Sequence, residues 1–287
     1  MNLTIPITFI TPCFCRGADS SDKGVPEIRP ASIRGQLHWW FRAIGGTPQD
    51  EKAIFGGIHN GAKASPLVVR VKYDDNTAKT VSSPTLPHKT GGSAAPKEAF
   101  APGVSFELRI STRLGGLSDE LENKFRCALN AWLHFGALGL RATRGGGNFT
   151  WDGAPKTPAD YDAAIKEIIA GTELRAVLLN ESYQNAEAAR KDITDTISHK
   201  GLSFERFPLG AVRQGKNDPS DAPHRKTSPL RFRVVKFADG RFRIAAVWDG
   251  RKNVTDNTLD DLRVAIRKLV EAGKKIGVQL DASSLAR

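Results

Sequence analysis

The stretch EIRPASIRGQLHWWFRAIGG, residues 27–46, sets Arg29, Arg34, His38 and Arg42 beside two adjacent tryptophans, Trp39 and Trp40. Cations next to an indole suit a phosphodiester chain, because guanidinium groups neutralise phosphates while an aromatic face stacks on a base. The same residue types also describe a core helix whose arginines are solvated. Within the set, His38 is the side chain whose ordinary titration lies near neutral pH. It can act as general base for attack by an RNA 2′-OH, although no partner acid is apparent in the sequence.

Two further groups carry charge in a pattern. LRATRGGGNF, residues 140–149, places Arg141 and Arg144 beside Gly145, Gly146 and Gly147. Consecutive glycines let backbone N–H groups converge on an anion, and the arginines add charge; the alternative is a flexible hairpin tip. The segment from Arg206 to Arg243 holds ten Lys and Arg against Asp218, Asp221 and Asp239. In it Lys226 precedes a strand on which Arg231 and Arg233 share one face, and Arg241 and Arg243 share the matching face of the partner strand. Four such arginines repel one another unless water or phosphate separates them.

Catalytic and cofactor patterns are weak by comparison. GxSxG, HExxH, GxGxxG and GxxxxGK[ST] do not occur, so no nucleotide cofactor is expected. Cys13, Cys15 and Cys127 are too few for a disulfide framework, and ordinary thiols are favoured over half of a metal site. His59, His88, His134, His199 and His224 are scattered, with His134 assigned to structure by its aromatic neighbours. Asp19, Asp22, Asp74 and Asp75 suit turns better than a metal. The expectation is a chain without catalytic residues, cofactor or metal.

The elements that must hold these groups follow from periodicity. Leu3, Ile5, Ile7 and Phe9 alternate with polar residues as in a strand with one buried face. Ser32 is expected to cap a helix to about Ile44. Strands are expected over 66–73 and 104–111, a helix from Ser118 to Gly136, and an aperiodic loop over 74–103. Beyond Pro155 the pattern gives a helix over about 158–170, a strand within 172–180, a helix over 185–199, a hairpin from 230–237 and 241–248 turning at Ala238-Asp239-Gly240, and a last helix capped by Thr258. The class is α+β, arranged as two tandem ferredoxin-like, RRM-like halves, 1–154 and 155–287.

The net charge is +11 at 287 residues, and both halves share it: 18 Lys and Arg against 12 Asp and Glu in residues 1–150, and 24 against 19 in the rest. A cationic excess spread in this way favours an extended polyanion over one small acidic ligand. No apolar run approaches the roughly 18 residues of a membrane span, and the N-terminus alternates as a strand does, so a cytoplasmic protein is expected.

TPCFCRGAD (11–19), EIRPASIRGQLHWWFRA (27–43), AIFGG (53–57), APGVSFELRI (101–110), GALGLRATRGGGNF (136–149) and TSPLRFRVVK (227–236) occur in that order. Together they resemble the RAMP superfamily of CRISPR-associated proteins, nearest the first subunit of the Cmr module of type III-B effector complexes. The resemblance implies two ferredoxin-like halves, a basic cleft for guide RNA and target RNA, other Cmr-module subunits as partners, and a non-catalytic place near the 3′ end of the guide. It carries RNA contact onto Arg29, Arg34, His38 and Arg42, and onto Arg141, Arg144 and Gly145 to Gly147. The cysteines in TPCFC and the sparse basic run in RATRGGGNF depart from the superfamily pattern. A RAMP-type endoribonuclease that processes guide RNA, with His38 or another histidine as base, is the competing expectation; a pure protein-interaction module is a third.

Overall fold

The structure, a computed structural model, describes residues 1–17, 24–58, 61–74, 78–89, 96–113, 115–198, 209, 228–251 and 259–281. Its first half runs β1 (Asn2–Phe9), α1 (Pro30–Ala43), α2 (Pro48–Phe55), β2 (Leu67–Lys72), β3 (Thr80–Pro84), β4 (Pro96–Phe100), β5 (Ser105–Thr112), α3 (Asp119–Phe135) and β6 (Phe149–Trp151). The four long-range strands form one antiparallel sheet in the order β2-β5-β1-β6. Ile5 faces Leu108 and Leu108 faces Val71, so the alternating apolar residues of three strands line one face. That face packs on α1 and α3 through Ile33, Leu37, Trp40, Phe125 and Trp132. β3 and β4 form a separate hairpin inside the stretch expected to be aperiodic.

Two local differences have plain causes. α1 begins at Pro30, with Arg29 as its N-cap and no side-chain cap. Proline at the first helical position fixes φ and needs no hydrogen bond, so the helix starts ahead of Ser32. α2 is an element that periodicity does not reveal, because Gln49, Asp50, Glu51 and Lys52 leave only its last turn apolar. Thr47 opens it, its hydroxyl accepting from Asp50 N at 3.1 Å. Ser118 caps α3 as expected, accepting from Leu121 N.

The second half runs α4 (Pro158–Ile169), β7 (Leu174–Leu178), α5 (Ala186–Thr196), β8 (Leu230–Lys236), β9 (Phe242–Asp249), α6 (Leu259–Glu271) and α7 (Lys275–Asp281). Thr258, the expected cap of α6, lies outside the described residues. The sheet is antiparallel with order β7-β9-β8. The β8–β9 hairpin turns at Gly240, φ +78°, where Arg241 N donates to Asp239 Oδ1 at 2.8 Å.

This sheet is covered on both sides. Leu230, Phe232, Val234, Ile244, Ala246 and Trp248 face Leu262, Ile266 and Ile193 of the helices. Val235, Ala245, Val247, Leu174 and Ala176 instead join the buried cluster that contains Trp132, Phe149 and Tyr161. The core of the first half is therefore continuous with α4 and one face of the second sheet. Among the described residues no helix is long and apolar enough to cross a membrane.

Candidate nucleic-acid interface

Arg34, His38 and Arg42 do lie along one stripe of α1, but α2 has taken hold of it. The Arg34 guanidinium donates to Phe55 O and to Ser65 Oγ at 3.2 Å, and sits 5.9 Å over the Phe55 ring. Arg42 Nε donates to both Glu51 oxygens at 2.8 Å. His38 Nδ1 is 2.7 Å from Glu51 Oε1, with its ring tilted against Phe55, the centroids 4.0 Å apart. Burial would raise the Glu51 carboxyl, but the Arg42 and His38 bonds outweigh it and hold it below its ordinary range. Glu51 is thus a carboxylate partner of His38 that is not apparent in the sequence. Arg42 keeps an exposed edge, its side chain being 62% accessible. Beside Ser65 opens a shallow cleft of about 320 Å³ with Lys63 and Arg113 on its wall.

The two tryptophans divide their labour. Trp40 is buried, and meets Trp39 edge-on at 4.7 Å. Trp39 is roofed by guanidinium groups from the second half: Arg231 at 3.8 Å and Arg251 at 5.4 Å from the ring centre. Arg251 is itself paired to the buried Asp249, Nη2 to Oδ2 at 2.7 Å. The indole face expected to stack on a base carries a cation of its own chain.

Arg231 and Arg233 share a face as expected, but that face turns inward. Arg233, 2% exposed, donates Nη1 to Gly136 O at 2.7 Å and Nη2 to Phe149 O, and lies 4.6 Å over the Phe149 ring. Burial pushes its pKa down to about 10, and does the same to Arg231, whose Asp249 neighbour opposes the shift. The reason is local. The carbonyls at the end of α3 and in β6 need donors, and a planar fork supplies two in one plane. Arg233 is sealed in the core and Arg231, half-buried, lies against Trp39, so the two hold the halves together in place of forming an open basic strip.

The glycine-rich loop also differs from the anion nest expected of it. Gly145, Gly146 and Gly147 are buried. Gly147 N donates to Pro12 O at 2.9 Å, Gly146 N to Arg141 O at 3.1 Å, and Leu138 N to Gly147 O at 3.0 Å. A Cβ on Gly147 would stand 1.8 Å from Leu138 O. These glycines therefore permit close packing, and at least two of their N–H groups are spent inside the fold. Asn148 completes the strap: Ile10 N donates to its carbonyl at 2.8 Å, and Val234 N to its Oδ1 at 2.9 Å. With Phe232 N donating to Thr143 O at 3.1 Å, the loop is wedged between the end of β1 and β8. Arg141, in the left-handed region at φ 61°, and Arg144 stay at its half-buried rim.

A neighbouring group was not anticipated. Arg190 of α5, buried, lies 5.2 Å over Phe14, donates Nη2 to Pro84 O at 2.6 Å and pairs with Glu187 at 3.1 Å. It ties the β3–β4 hairpin to the second half. Beyond Pro84 on that strand end comes His88, whose Nδ1 is shielded from solvent without a hydrogen-bond partner. Lys89, Arg144, Lys274 and Asp195 all act on its charge. No periodicity or motif brings these four stretches together. Arg29 is exposed at the start of α1, whereas Lys226, Asp19 and Asp22 lie outside the described residues.

Three other titratable groups, His134, Cys13 and Cys15, are buried. His134 is buried, its Nδ1 is 2.9 Å from Asn130 O, and burial pushes it down to about 4. Cys13 and Cys15 are buried with sulfurs 3.0 Å apart, and burial raises Cys13.

The sequence model of the RAMP superfamily matches residues 6–150. The chain belongs to the RAMP superfamily. Its matched span runs from β1 through the glycine-rich loop to β6. Over 75 residues this RAMP protein is 36% identical to CRISPR system Cmr subunit Cmr1-2 of Pyrococcus furiosus, a match covering 23% of the chain and 37% of that relative's length. The crystal structure of apo Cmr1 from Pyrococcus furiosus superposes with a TM-score of 0.53 at 17% identity, covering 86% of this chain and 87% of that one. A chain of the type III-B Cmr-beta complex bound to cognate target RNA and AMPPnP, solved by cryo-EM in the presence of ssDNA, gives a TM-score of 0.60 at 12% identity over 94% and 98% of the two chains. At these identities the two structures establish likeness of fold.

Proposed function

We propose that this RAMP protein is an RNA-binding subunit, without catalysis of its own, of a type III-B CRISPR (Cmr) effector ribonucleoprotein in the cytoplasm. It sits near the 3′ end of the guide RNA, contacts guide and target RNA, and docks other Cmr-module subunits. In this reading both halves are ferredoxin-like, the first as β1-α1-β2-β5-α3-β6 and the second as β7-α5-β8-β9-α6 with three strands. One observation carries the RNA assignment. Lys89, Arg144 and Lys274, from separate stretches of both halves, all bear on the charge of His88 near the wedged glycine-rich loop, against one carboxylate, Asp195, with which Lys274 is paired. Phosphates are the ligand that such a convergence of cations suits.

Because Arg34, Arg42, Arg231 and Arg233 are engaged within the fold, the expected number of phosphate contacts is small. For three or four contacts to a single strand, affinity for a labelled oligouridine RNA should fall about 20–50-fold between about 50 and 200 mM salt. Replacing Arg144 by Ala should lower the slope of log affinity against log salt by about 0.7. Fluorescence anisotropy measures both. Affinity indifferent to salt contradicts the reading.

The His38–Glu51 pair favours a second reading, an RNA-cleaving subunit. A carboxylate on Nδ1 fixes the tautomer and leaves Nε2 to take a proton from a 2′-OH. The first reading expects no discrete product from labelled repeat RNA, with or without Mg²⁺. A product abolished by His38→Ala and weakened by Glu51→Gln establishes the second.

A further inference from the structure

The cleft beside Ser65 opens where the α2–β2 connection meets the β5–α3 connection, with Lys63 from the first and Arg113 from the second on its wall. Both connections are pinned by their own backbone. Gly57 N donates to Lys63 O at 3.0 Å and Lys63 N to Gly57 O at 2.8 Å. Arg113 N donates to Pro66 O at 2.8 Å, and Gly116 N to Arg113 O at 2.9 Å. Ser65 Oγ ties the cleft to α2 by donating to Ile54 O at 3.1 Å. Lys63 and Arg113 are exposed, and among the described residues no carboxylate lines the cleft. The first turn of α3 carries Asp119, Glu120 and Glu122, none of them on the wall. Glu120 is taken by Lys124, and Glu122 by Arg126 and the N-terminal amine. Behind the wall stands Arg34, close enough to Arg113 for the two cations to repel. Ala53, Pro66, Leu117 and Leu121 add apolar lining, and Ile58, 81% exposed, follows Gly57 in the Lys63 turn.

We infer that this cleft docks an acidic segment of a partner polypeptide, with a carboxylate between Lys63 and Arg113 and a neighbouring apolar side chain against Leu117 and Leu121. Charge complementarity selects the carboxylate, since the wall offers cations and no acid to answer them. An apolar patch rimmed by charge is also how a protein interface is composed. RNA fits less well. Among the described residues no aromatic ring lines the cleft for a base to stack on. The cleft also stands away from the glycine-rich loop. β5 begins at Ser105, opposite Thr8 and beside the strand end that the loop holds, and it ends at Thr112, opposite Leu67. Its length of eight residues separates the two places by roughly 25 Å at a strand's rise of about 3.3 Å per residue. A protein at the cleft and a nucleic acid at the loop can therefore be held together. That the partner is another subunit of a Cmr complex rests on the reading proposed above.

Two measurements on the full chain separate the cleft from that reading. Both use the double charge reversal Lys63→Glu with Arg113→Glu, whose exposed positions should leave the melting temperature unchanged. In the first, a terminally blocked peptide alternating Leu and Glu is titrated into the protein and followed by NMR. The amide signals of Ala64, Gly115, Gly116 and Leu117 should move. They should stay in place for the same peptide with Gln for Glu, and for the double variant with the Glu peptide. Movement with oligouridine RNA but not with the Glu peptide assigns the cleft to nucleic acid and overturns the proposal. In the second, the chain is bound to a type III-B Cmr complex assembled without it, where the double variant should bind at least about 30-fold more weakly than the wild type. Wild-type affinity of the double variant overturns the docking surface and leaves the Cmr reading standing. If the Glu peptide moves the cleft signals but the wild type does not join the complex, the cleft stands and the Cmr reading falls.

Discussion

Gly147→Ala should yield little or no folded protein, whereas Gly240→Ala should cost only about 1–2 kcal/mol. Both glycines have positive φ, 60° and 78°, so both substitutions pay the left-handed penalty. They differ in what the new methyl meets. At Gly240 nothing lies within 4 Å; at Gly147 the Cβ would stand 1.8 Å from Leu138 O and 2.8 Å from Leu138 C. That obstacle is backbone, and it is fixed by Leu138 N donating to Gly147 O. Relieving the clash breaks that bond and the Gly147 N bond to Pro12 O, which together anchor the loop to the end of β1. A loss above about 4 kcal/mol follows. Thermal denaturation followed by circular dichroism should place the soluble fraction of Gly147→Ala roughly 5 °C or more below Gly240→Ala. Equal melting temperatures for the two variants contradict this account of the loop.

Arg233→Ala should destabilise the fold by about 3–4 kcal/mol, with Arg233→Lys losing about half as much. Truncation leaves a cavity and strips donors from Gly136 O and Phe149 O, both bonded to the guanidinium. The cavity is worth about 2–5 kcal/mol and each orphaned carbonyl about 1–3 kcal/mol. Release of a desolvated cation works the other way, since burial already drives Arg233 down to about 10, and for that reason the net loss falls below the sum. Lysine keeps the charge but cannot serve two carbonyls as a planar fork does. Urea denaturation gives the order wild type, Lys, Ala. Wild-type stability for Arg233→Ala, with weakened RNA affinity, restores the residue to a phosphate-binding role.

These two residues also mark where sequence reasoning runs out. β1, the β8–β9 hairpin and α3 are legible because each writes its period or its turn locally: Leu3 to Phe9 alternate, Asp239-Gly240 permit the hairpin, and Ser118 caps. α2 is not, because a helix whose first turns are polar has no apolar stripe to count. Missing α2 meant missing Glu51, and with it the partner of both His38 and Arg42. The shared face of Arg231 and Arg233 follows from a period of two, but its direction does not. A sheet covered on both sides has no wet face, and that coverage is decided by residues more than eighty positions away in the chain, such as Gly136 and Phe149. RAT-RGGG spells an anion nest and a tight crossing in the same letters, and only the carbonyls of Pro12 and Leu138 distinguish them.

The roof over Trp39 limits how such a protein can be taken apart. Adjacent tryptophans serve different masters, Trp40 the shared core and Trp39 two arginines, Arg231 of β8 and Arg251 two residues past β9. Neither lobe is an interchangeable part. A lobe transplanted from a distant relative would bring an indole without its cation, or a buried guanidinium without its aromatic shelf. Recombination that respects this seam must carry Trp39, Arg231, Asp249 and Arg251 as one inherited package.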